Sequence, residues 1–335
     1  MPAPKLIFGS GLFTKEHGYG SAQDCKPWLD VLLDNKAKGL INEIDTAAAY
    51  QQCEGYLGDL KFTSHFEIGT KVFGGAHPAQ PATKDAVIAQ AKDSLSKLGV
   101  QQIDILFIHC PDYRVSFEDT LSGIDALYKE GAFKRFGLAN YRPEEVEEVI
   151  KVCKDKGFVL PSVFTGSYSA VARLPERELL PLLRKHKIAF YAYSPIAGGL
   201  LAKTSQQFRD QSFTGRWDKA GFLGKVYQFI YNKPNALEAL DKWHEIAAAE
   251  GISPAEMAYR WVAHNSALDG SLGDGIIIGA TSIEQWNSNL EAIQKGPLSA
   301  ETAKKIDSLW GPGLESDSIL DNWAAIQGVT AASKK

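Results

Sequence analysis

Residues 105–112 read ILFIHCPD, an apolar run that stops abruptly in a histidine and an aspartate. Three other segments share the design: IDTAAAY at 44–50, FEIGTK at 66–71 and RFGLAN at 135–140. A strand buried on both faces explains each apolar run, because parallel strands covered by helices lose the polar alternation of a half-exposed strand. A functional face at the carboxyl ends of the strands explains the polar endings. Asp45, Tyr50, Lys71 and His109 then fall at the ends of three successive strands.

Working outward, eight such runs recur: LIFGSG, INEIDTA, FEIGTKV, IDILFIH, FKRFGLAN, PSVFTGSYS, IAFYAYSPI and GIIIGA. Segments with helical periodicity separate them. In 83–100, Thr83 is suited to cap a helix whose one face carries Val87, Ile88, Ala91, Leu95 and Leu98. Ser116 is placed to start the next helix and Gly131 to end it, and Pro143 and Gly157 bracket the one after. Strand and helix alternating eight times predicts parallel βαβ units, and the count favours a closed (β/α)8 barrel over an open doubly wound sheet. No GxGxxG follows an early strand, so a dinucleotide-binding Rossmann unit has no support. The prediction is one barrel domain, with a core at about 5–312 and a tail at 313–335. Residues 201–235, after the seventh strand, break the rhythm with glycines, aromatics and bases, and predict a long irregular loop acting as a lid or ligand clamp.

Composition narrows the class. With 335 residues, 44% hydrophobic and 23% charged, the chain is an ordinary globular protein. A net charge of -4 without basic blocks argues against nucleic-acid or anionic-membrane surfaces. No apolar stretch reaches membrane-spanning length, and MPAPKLIFGS lacks the apolar core of a secretory signal. Cys25, Cys53, Cys110 and Cys153 form no CxxC pair, which points to a reducing, cytoplasmic setting and away from a zinc site. No metal is expected. Cys110 beside His109 suggests a nucleophile pair, but adjacent strand residues face opposite ways.

Hydride addition to a carbonyl leaves an alkoxide that needs a proton. A tyrosine with a pKa of about 10 donates poorly unless a neighbour stabilises its phenolate. A buried lysine does so, an aspartate keeps that lysine charged, and a histidine opposite orients the carbonyl oxygen. Tyr50, Lys71, Asp45 and His109 are those residue types, with Tyr56 a competing acid.

DTAAAY with Leu57-Gly58, GTK, FIHCPD, GLANY, YSPIAGGLL and IIGATSIEQWNSNL together resemble the aldo-keto reductases, in order and across nearly the whole chain. The stretches CKDKGFVLPSVFTGSYSAVAR and AGGLL are most similar to the aflatoxin-aldehyde/succinic-semialdehyde reductase branch. The resemblance implies a tetrad of Asp45, Tyr50, Lys71 and His109, with Tyr50 the general acid. It implies NADPH as cofactor, bound extended. Asn140 matches the position that bonds the nicotinamide carboxamide, Tyr193 the ring that stacks on the nicotinamide, and Ser194, Pro195 and Ile196 the pyrophosphate-side backbone. Gly279, Thr281, Gln285 and Asn289 match the adenosine end, where Ser282 opens a helix whose amino terminus suits phosphate. Lys203 and Arg216 match basic contacts that favour NADPH over NADH.

Three departures stand out: Ala139 in place of serine, Thr165 at the cofactor-contacting glutamine position, and Ser288 in place of an acid. The first two remove hydrogen bonds to the carboxamide. Phe13, Tyr113 and Arg114 are expected around the substrate, Arg114 as a partner for a carboxylate. The expected partner is a small-molecule carbonyl substrate, with no nucleic acid and no membrane, and with self-association as a homo-oligomer left open. Two other readings stand beside this one: a NADPH-binding regulatory subunit resembling potassium-channel β subunits, and a metal-dependent barrel hydrolase, which lacks an HxH pair.

Overall fold

The eight apolar runs form eight strands that pair in parallel, each with its sequence neighbour, and the first with the last. They are β1 (Lys5–Gly9), β2 (Ile41–Asp45), β3 (Glu67–Val72), β4 (Ile103–Ile108), β5 (Phe133–Ala139), β6 (Pro161–Ser167), β7 (Ala189–Tyr193) and β8 (Gly275–Ile278). The result is a closed (β/α)8 barrel. The structure, a computed structural model, describes residues 2–77, 79–213 and 215–332. Among the described residues no helix is long and apolar enough to cross a membrane.

The helices in chain order are α1 (Ala22–Ala37), α2 (Cys53–Asp59), α3 (Lys84–Leu98), α4 (Phe117–Lys129) and α5 (Pro143–Lys156). The short α6 (Leu174–Glu178) and α7 (Leu180–Lys185) lead into β7. Then come α8 (Ser205–Asp210), α9 (Phe222–Tyr231), α10 (Pro234–Ala249) and α11 (Pro254–Arg260) before β8, followed by α12 (Ile283–Gln294) and α13 (Ala300–Asp307). Start signals behave as expected: Thr83, Ser116 and Ser282 each accept a hydrogen bond from the backbone N–H three residues on. These caps satisfy donors that a helix cannot satisfy internally.

Two expectations change. Residues 201–235 are not an irregular loop: they contain α8, a single turn at Gly215–Trp217 and α9. Short-range order was hidden there because glycines and aromatics interrupt each helix within about three turns. The stretch after 312 also folds, into α14 (Pro312–Asp317) and α15 (Asn322–Ala332), and α15 lies along α9 with the Phe229 ring against Gly328.

Strand packing makes two layers of core. Between strands and helices lie residues such as Phe8, Ile44, Leu106, Leu138 and Phe190. Inside the barrel Ile7, Ile105, Phe107, Val163 and Ile277 form a separate apolar layer. Towards the amino ends of the strands that layer gives way to charge. Glu43 there pairs with Lys5 and Arg135, and accepts the Tyr191 hydroxyl at 2.9 Å.

Closure depends on a buried carboxylate. Asp274, just before β8, is fully buried and accepts from Arg184 Nη1 at 2.8 Å, the Phe190 N–H at 2.8 Å and the Asp269 N–H at 2.9 Å. Its own carbonyl accepts the Lys5 N–H at 3.0 Å. One residue therefore ties α7, β7, β8 and β1 together. Asp274→Ala, which strands the Arg184 guanidinium, is expected to lower unfolding free energy by about 3–5 kcal/mol in urea titrations. A loss under 1 kcal/mol would show that closure does not rest on this carboxylate.

Candidate active site

The carboxyl ends of β2, β3 and β4 bring Asp45, Lys71 and His109 to one side of the barrel mouth. Lys71 Nζ donates to Asp45 Oδ2 at 2.6 Å and to the Thr46 carbonyl at 2.7 Å. Both side chains of the ion pair are almost wholly buried, 4% and 9% exposed. Burial pushes the Asp45 carboxyl above its ordinary range, while the adjacent ammonium pulls it down. A contact of 2.6 Å is as short as a charge-assisted hydrogen bond.

Tyr50 lies in the turn after β2, its backbone N–H bonded to the Ala47 carbonyl at 2.9 Å. Its ring centroid is 5.4 Å from the Lys71 ammonium and 5.8 Å from the His109 ring, which it meets edge-on at 80°. The four residues of the expected tetrad thus stand together. Tyr56 does not join them: it is buried in α2 within the outer core, near Cys25 and Asp24 of α1.

His109 is held neutral. Burial first, and the Lys71 charge second, push its pKa down to about 3. Its Nδ1 is buried without a hydrogen-bond partner in the structure. A neutral imidazole can donate one hydrogen bond to a carbonyl oxygen without competing as a stronger acid. Cys110 faces away, its Sγ 3.6 Å from the Phe73 carbonyl, and burial pushes its thiol pKa up. It is no nucleophile.

The loops after β3 and β4 hold Lys71 and His109 in relation to each other. A side chain at Gly74 would lie 2.1 Å from the Cys110 carbonyl oxygen, and one at Gly75 2.3 Å from that of Pro111. Only glycine admits this approach. Asp112 clamps the contact, accepting the Ala82 N–H at 2.8 Å and pairing with Arg114, whose guanidinium also reaches the His77 and Gln80 carbonyls. Burial raises the Asp112 pKa, but its hydrogen bonds to Arg114 and to the loop outweigh that and hold it below the ordinary range.

The residues expected around the substrate are held by their neighbours. Arg114 takes part in this clamp, with its side chain 39% exposed. Tyr113 is 56% exposed and donates its hydroxyl to Glu145 at 2.7 Å, turned onto α5. Phe13 is fully buried in an aromatic cluster with Phe8, Tyr19, Trp28 and Phe62.

The residues matched to the cofactor ring the same mouth. Asn140 has a left-handed backbone (φ 58°), donates to the His109 carbonyl at 2.9 Å and accepts the Tyr193 hydroxyl at 2.7 Å. Thr165 is buried and donates its hydroxyl to the Tyr191 carbonyl at 3.0 Å, which leaves it little to offer a carboxamide. Ser194 is also left-handed (φ 56°), and the Ala197 N–H closes onto its carbonyl at 2.8 Å across Pro195 and Ile196. Of the seven non-glycine residues with positive φ among those described, Gln51, Asn140, Ser194 and Ala197 sit just beyond strand ends. Such backbone costs about 1–2 kcal/mol per residue and tends to gather at functional sites.

Lys203 is half-buried, its ammonium 5.8 Å from the Phe213 ring and 5.5 Å from Trp217, and burial lowers its pKa. It pairs with no carboxylate among the described residues. Trp217 donates to the Gly198 carbonyl at 2.8 Å, so the α8–α9 excursion is pinned to the turn after β7. The side chain of Arg216 lies outside the described residues. Across the mouth, Gln285 Oε1 accepts from the Thr281 N–H at 2.6 Å and hydroxyl at 3.0 Å, closing the turn from Gly279 into α12. Asn289 is buried and donates to the Tyr259 hydroxyl at 3.1 Å. Sequence reasoning missed Thr46, whose backbone carbonyl rather than side chain meets Lys71.

His109 gives a pH signature. Its folded pKa is depressed below the unfolded value near 6.5, so below that pH the unfolded chain binds a proton that the native state refuses. Stability should therefore fall as pH drops from about 6.5 towards about 3. Between pH 6.5 and 4.5 the parent should lose roughly 2–3 kcal/mol more than His109→Asn. Parallel stability profiles for the two proteins would show that His109 is not held neutral.

Comparison with known proteins agrees with this architecture. The sequence pattern of the Aldo/keto reductase family matches residues 5–311. The chain is 37% identical to the oxidoreductase sirO of Leptosphaeria maculans, over 92% of this chain and 94% of that one. It is 34% identical to aflatoxin B1 aldehyde reductase member 2 of Rattus norvegicus, over 92% and 88%. It is 35% identical to aflatoxin B1 aldehyde reductase member 4 of Homo sapiens, over 80% and 84%. With the family pattern spanning the barrel and the tetrad residues gathered at its mouth, the chain belongs to the aldo-keto reductase family, oxidoreductases that act on carbonyl compounds.

Proposed function

We propose that the protein reduces an aldehyde or ketone to the alcohol with NADPH, and that Tyr50 delivers the proton. The observation that carries this reading is the buried Lys71 ammonium, fixed by Asp45 at 2.6 Å and set 5.4 Å from the Tyr50 ring. A positive charge so placed lowers the cost of forming a tyrosinate as the proton leaves. Asp45 and the Thr46 carbonyl hold that charge in place. Neutral His109 bonds the carbonyl oxygen and turns it towards Tyr50, and its low pKa keeps it from protonating the substrate itself.

The residues around the mouth fit a nicotinamide dinucleotide. Tyr193 offers a ring beside the tetrad and Asn140 an amide, with Thr165 as a buried neighbour bonded to the β7 backbone. Ser194, Pro195 and Ile196 form a tight turn for the pyrophosphate side. A half-buried lysine with no carboxylate partner is an anion site in waiting, and Lys203 is such a group, with Arg216 expected beside it. Gly279, Thr281, Gln285 and Asn289 build the start of α12, whose amino end carries the partial positive charge that suits phosphate. NADPH, when bound, supplies the hydride. Relatives named aflatoxin B1 aldehyde reductases support an aldehyde as the substrate class.

Two measurements test the reading. Tyr50→Phe should lower kcat by at least about 100-fold, the scale of one general acid, while NADPH titration is nearly unchanged. Equal turnover in variant and parent would sink the assignment. Tight NADPH binding by the parent with no consumption across an aldehyde panel would favour the regulatory-subunit reading instead. Lys203→Ala should weaken NADPH binding about tenfold or more and leave NADH binding within about twofold, as expected for loss of one charge-assisted contact to a 2′-phosphate. Equal weakening for both cofactors would place Lys203 elsewhere on the ligand.

A further inference from the structure

Phe107 stands two residues before His109 on β4, so both side chains point into the barrel. It pairs in register with Lys71 on β3 and with Gly137 on β5. The ring is 1% exposed, and the Lys71 ammonium lies over it, 5.6 Å from its centroid. The same ammonium is 5.4 Å from the Tyr50 ring, so two aromatic faces and one carboxylate surround a single buried charge.

Room for the Phe107 ring comes from its neighbours. A Cβ at Gly137 would lie 2.2 Å from Phe107 Cδ1, and one at Gly69 3.2 Å from Cε2. The two strands next to β4 thus lack side chains where the ring spreads. Around it stand Ile7, Ile105, Val163 and Ile277, which carry no charge. Apolarity alone would not call for a ring here, since an aliphatic side chain is apolar too. An aromatic face adds the negative side of its quadrupole, directed at a cation where no water can compete.

We propose that Phe107 is a positioning residue for carbonyl reduction: its π face is the floor on which Lys71 stays charged and aimed at Tyr50, and Gly137 and Gly69 are the recesses that admit it. The inference rests on the reading of Tyr50 as the acid. Weakening the floor frees the ammonium to leave its place beside Tyr50, and proton delivery slows.

The decisive series replaces Phe107 with 4-fluoro-, 3,5-difluoro- and 3,4,5-trifluorophenylalanine, which nearly keep the ring's shape while draining its negative face; Phe107→Leu removes the face outright. Profiles of kcat against pH are recorded with NADPH and an aldehyde, alongside NADPH titrations and thermal melts. Turnover at neutral pH should fall stepwise with fluorination, by about three- to thirtyfold at the end of the series, the range for one desolvated cation–π contact. NADPH affinity should stay within about twofold, since Phe107 is expected to act on Lys71 and not on the cofactor.

An enzyme carrying 3,4,5-trifluorophenylalanine at position 107 with the parent's turnover would make Phe107 a filler and overturn the proposal, even if Phe107→Leu failed to fold. If Tyr50→Phe kept full turnover, the underlying reading would fall and this proposal with it. An inactive Tyr50→Phe beside an unaltered fluorinated series would overturn the floor alone.

Discussion

Everything at the barrel mouth depends on one ion pair that water scarcely reaches. Taking an ammonium and a carboxylate out of water costs several kcal/mol per ion, and the attraction between them recovers this only with good geometry and further polar partners. Here the geometry is dictated by strand order. Asp45 closes β2 and Lys71 sits in the adjacent β3, where Asp45 is in register with Gly69. The Ser10 N–H and hydroxyl, just beyond β1, both bond the Asp45 carbonyl, at 2.9 and 3.0 Å, fixing the carboxylate from the other side. Loss of barrel closure at β1 and β8 would therefore be felt at Lys71.

The same interior carries charge at both ends and none in the middle. Near the amino ends of the strands Glu43, Lys5, Arg135 and Tyr191 satisfy one another and leave no group directed at solvent chemistry. At the carboxyl ends the polar groups are incompletely satisfied, with His109 Nδ1 lacking a partner. That asymmetry is the usual one for this architecture, stability at one face and chemistry at the other. The apolar layer between them, with Phe107 in it, keeps the two charge systems from mixing.

Eight strands, their order and the tetrad were legible in the sequence because each depends on local pattern. An apolar run bounded by Asp, Lys or His specifies a buried strand and its functional end together. The capped helices at Thr83, Ser116 and Ser282 were legible for the same reason. Residues 201–235 were not, since α8 and α9 are short and α9 packs on α15, far along the chain. The contacts of Phe13 and Arg114 were not legible either: each follows a strand end, but Phe13 packs against Trp28 of α1 and Arg114 meets Asp112 two residues away. Phe107 was in plain view within ILFIHCPD, and the two-residue repeat of a strand already placed it on the same face as His109. Its size made it look like core alone.

The glycine contacts at 74 and 75, with the Asp112–Arg114 clamp, carry a consequence for how the mouth accommodates different molecules. Backbone touching backbone leaves no slack, so the loops after β3 and β4 behave as one inflexible jamb. Whatever width the opening gains for a bulkier guest has to come from the facing jamb, where α9 leans on α15 with the Phe229 ring against Gly328. The doorway is hinged on one side only.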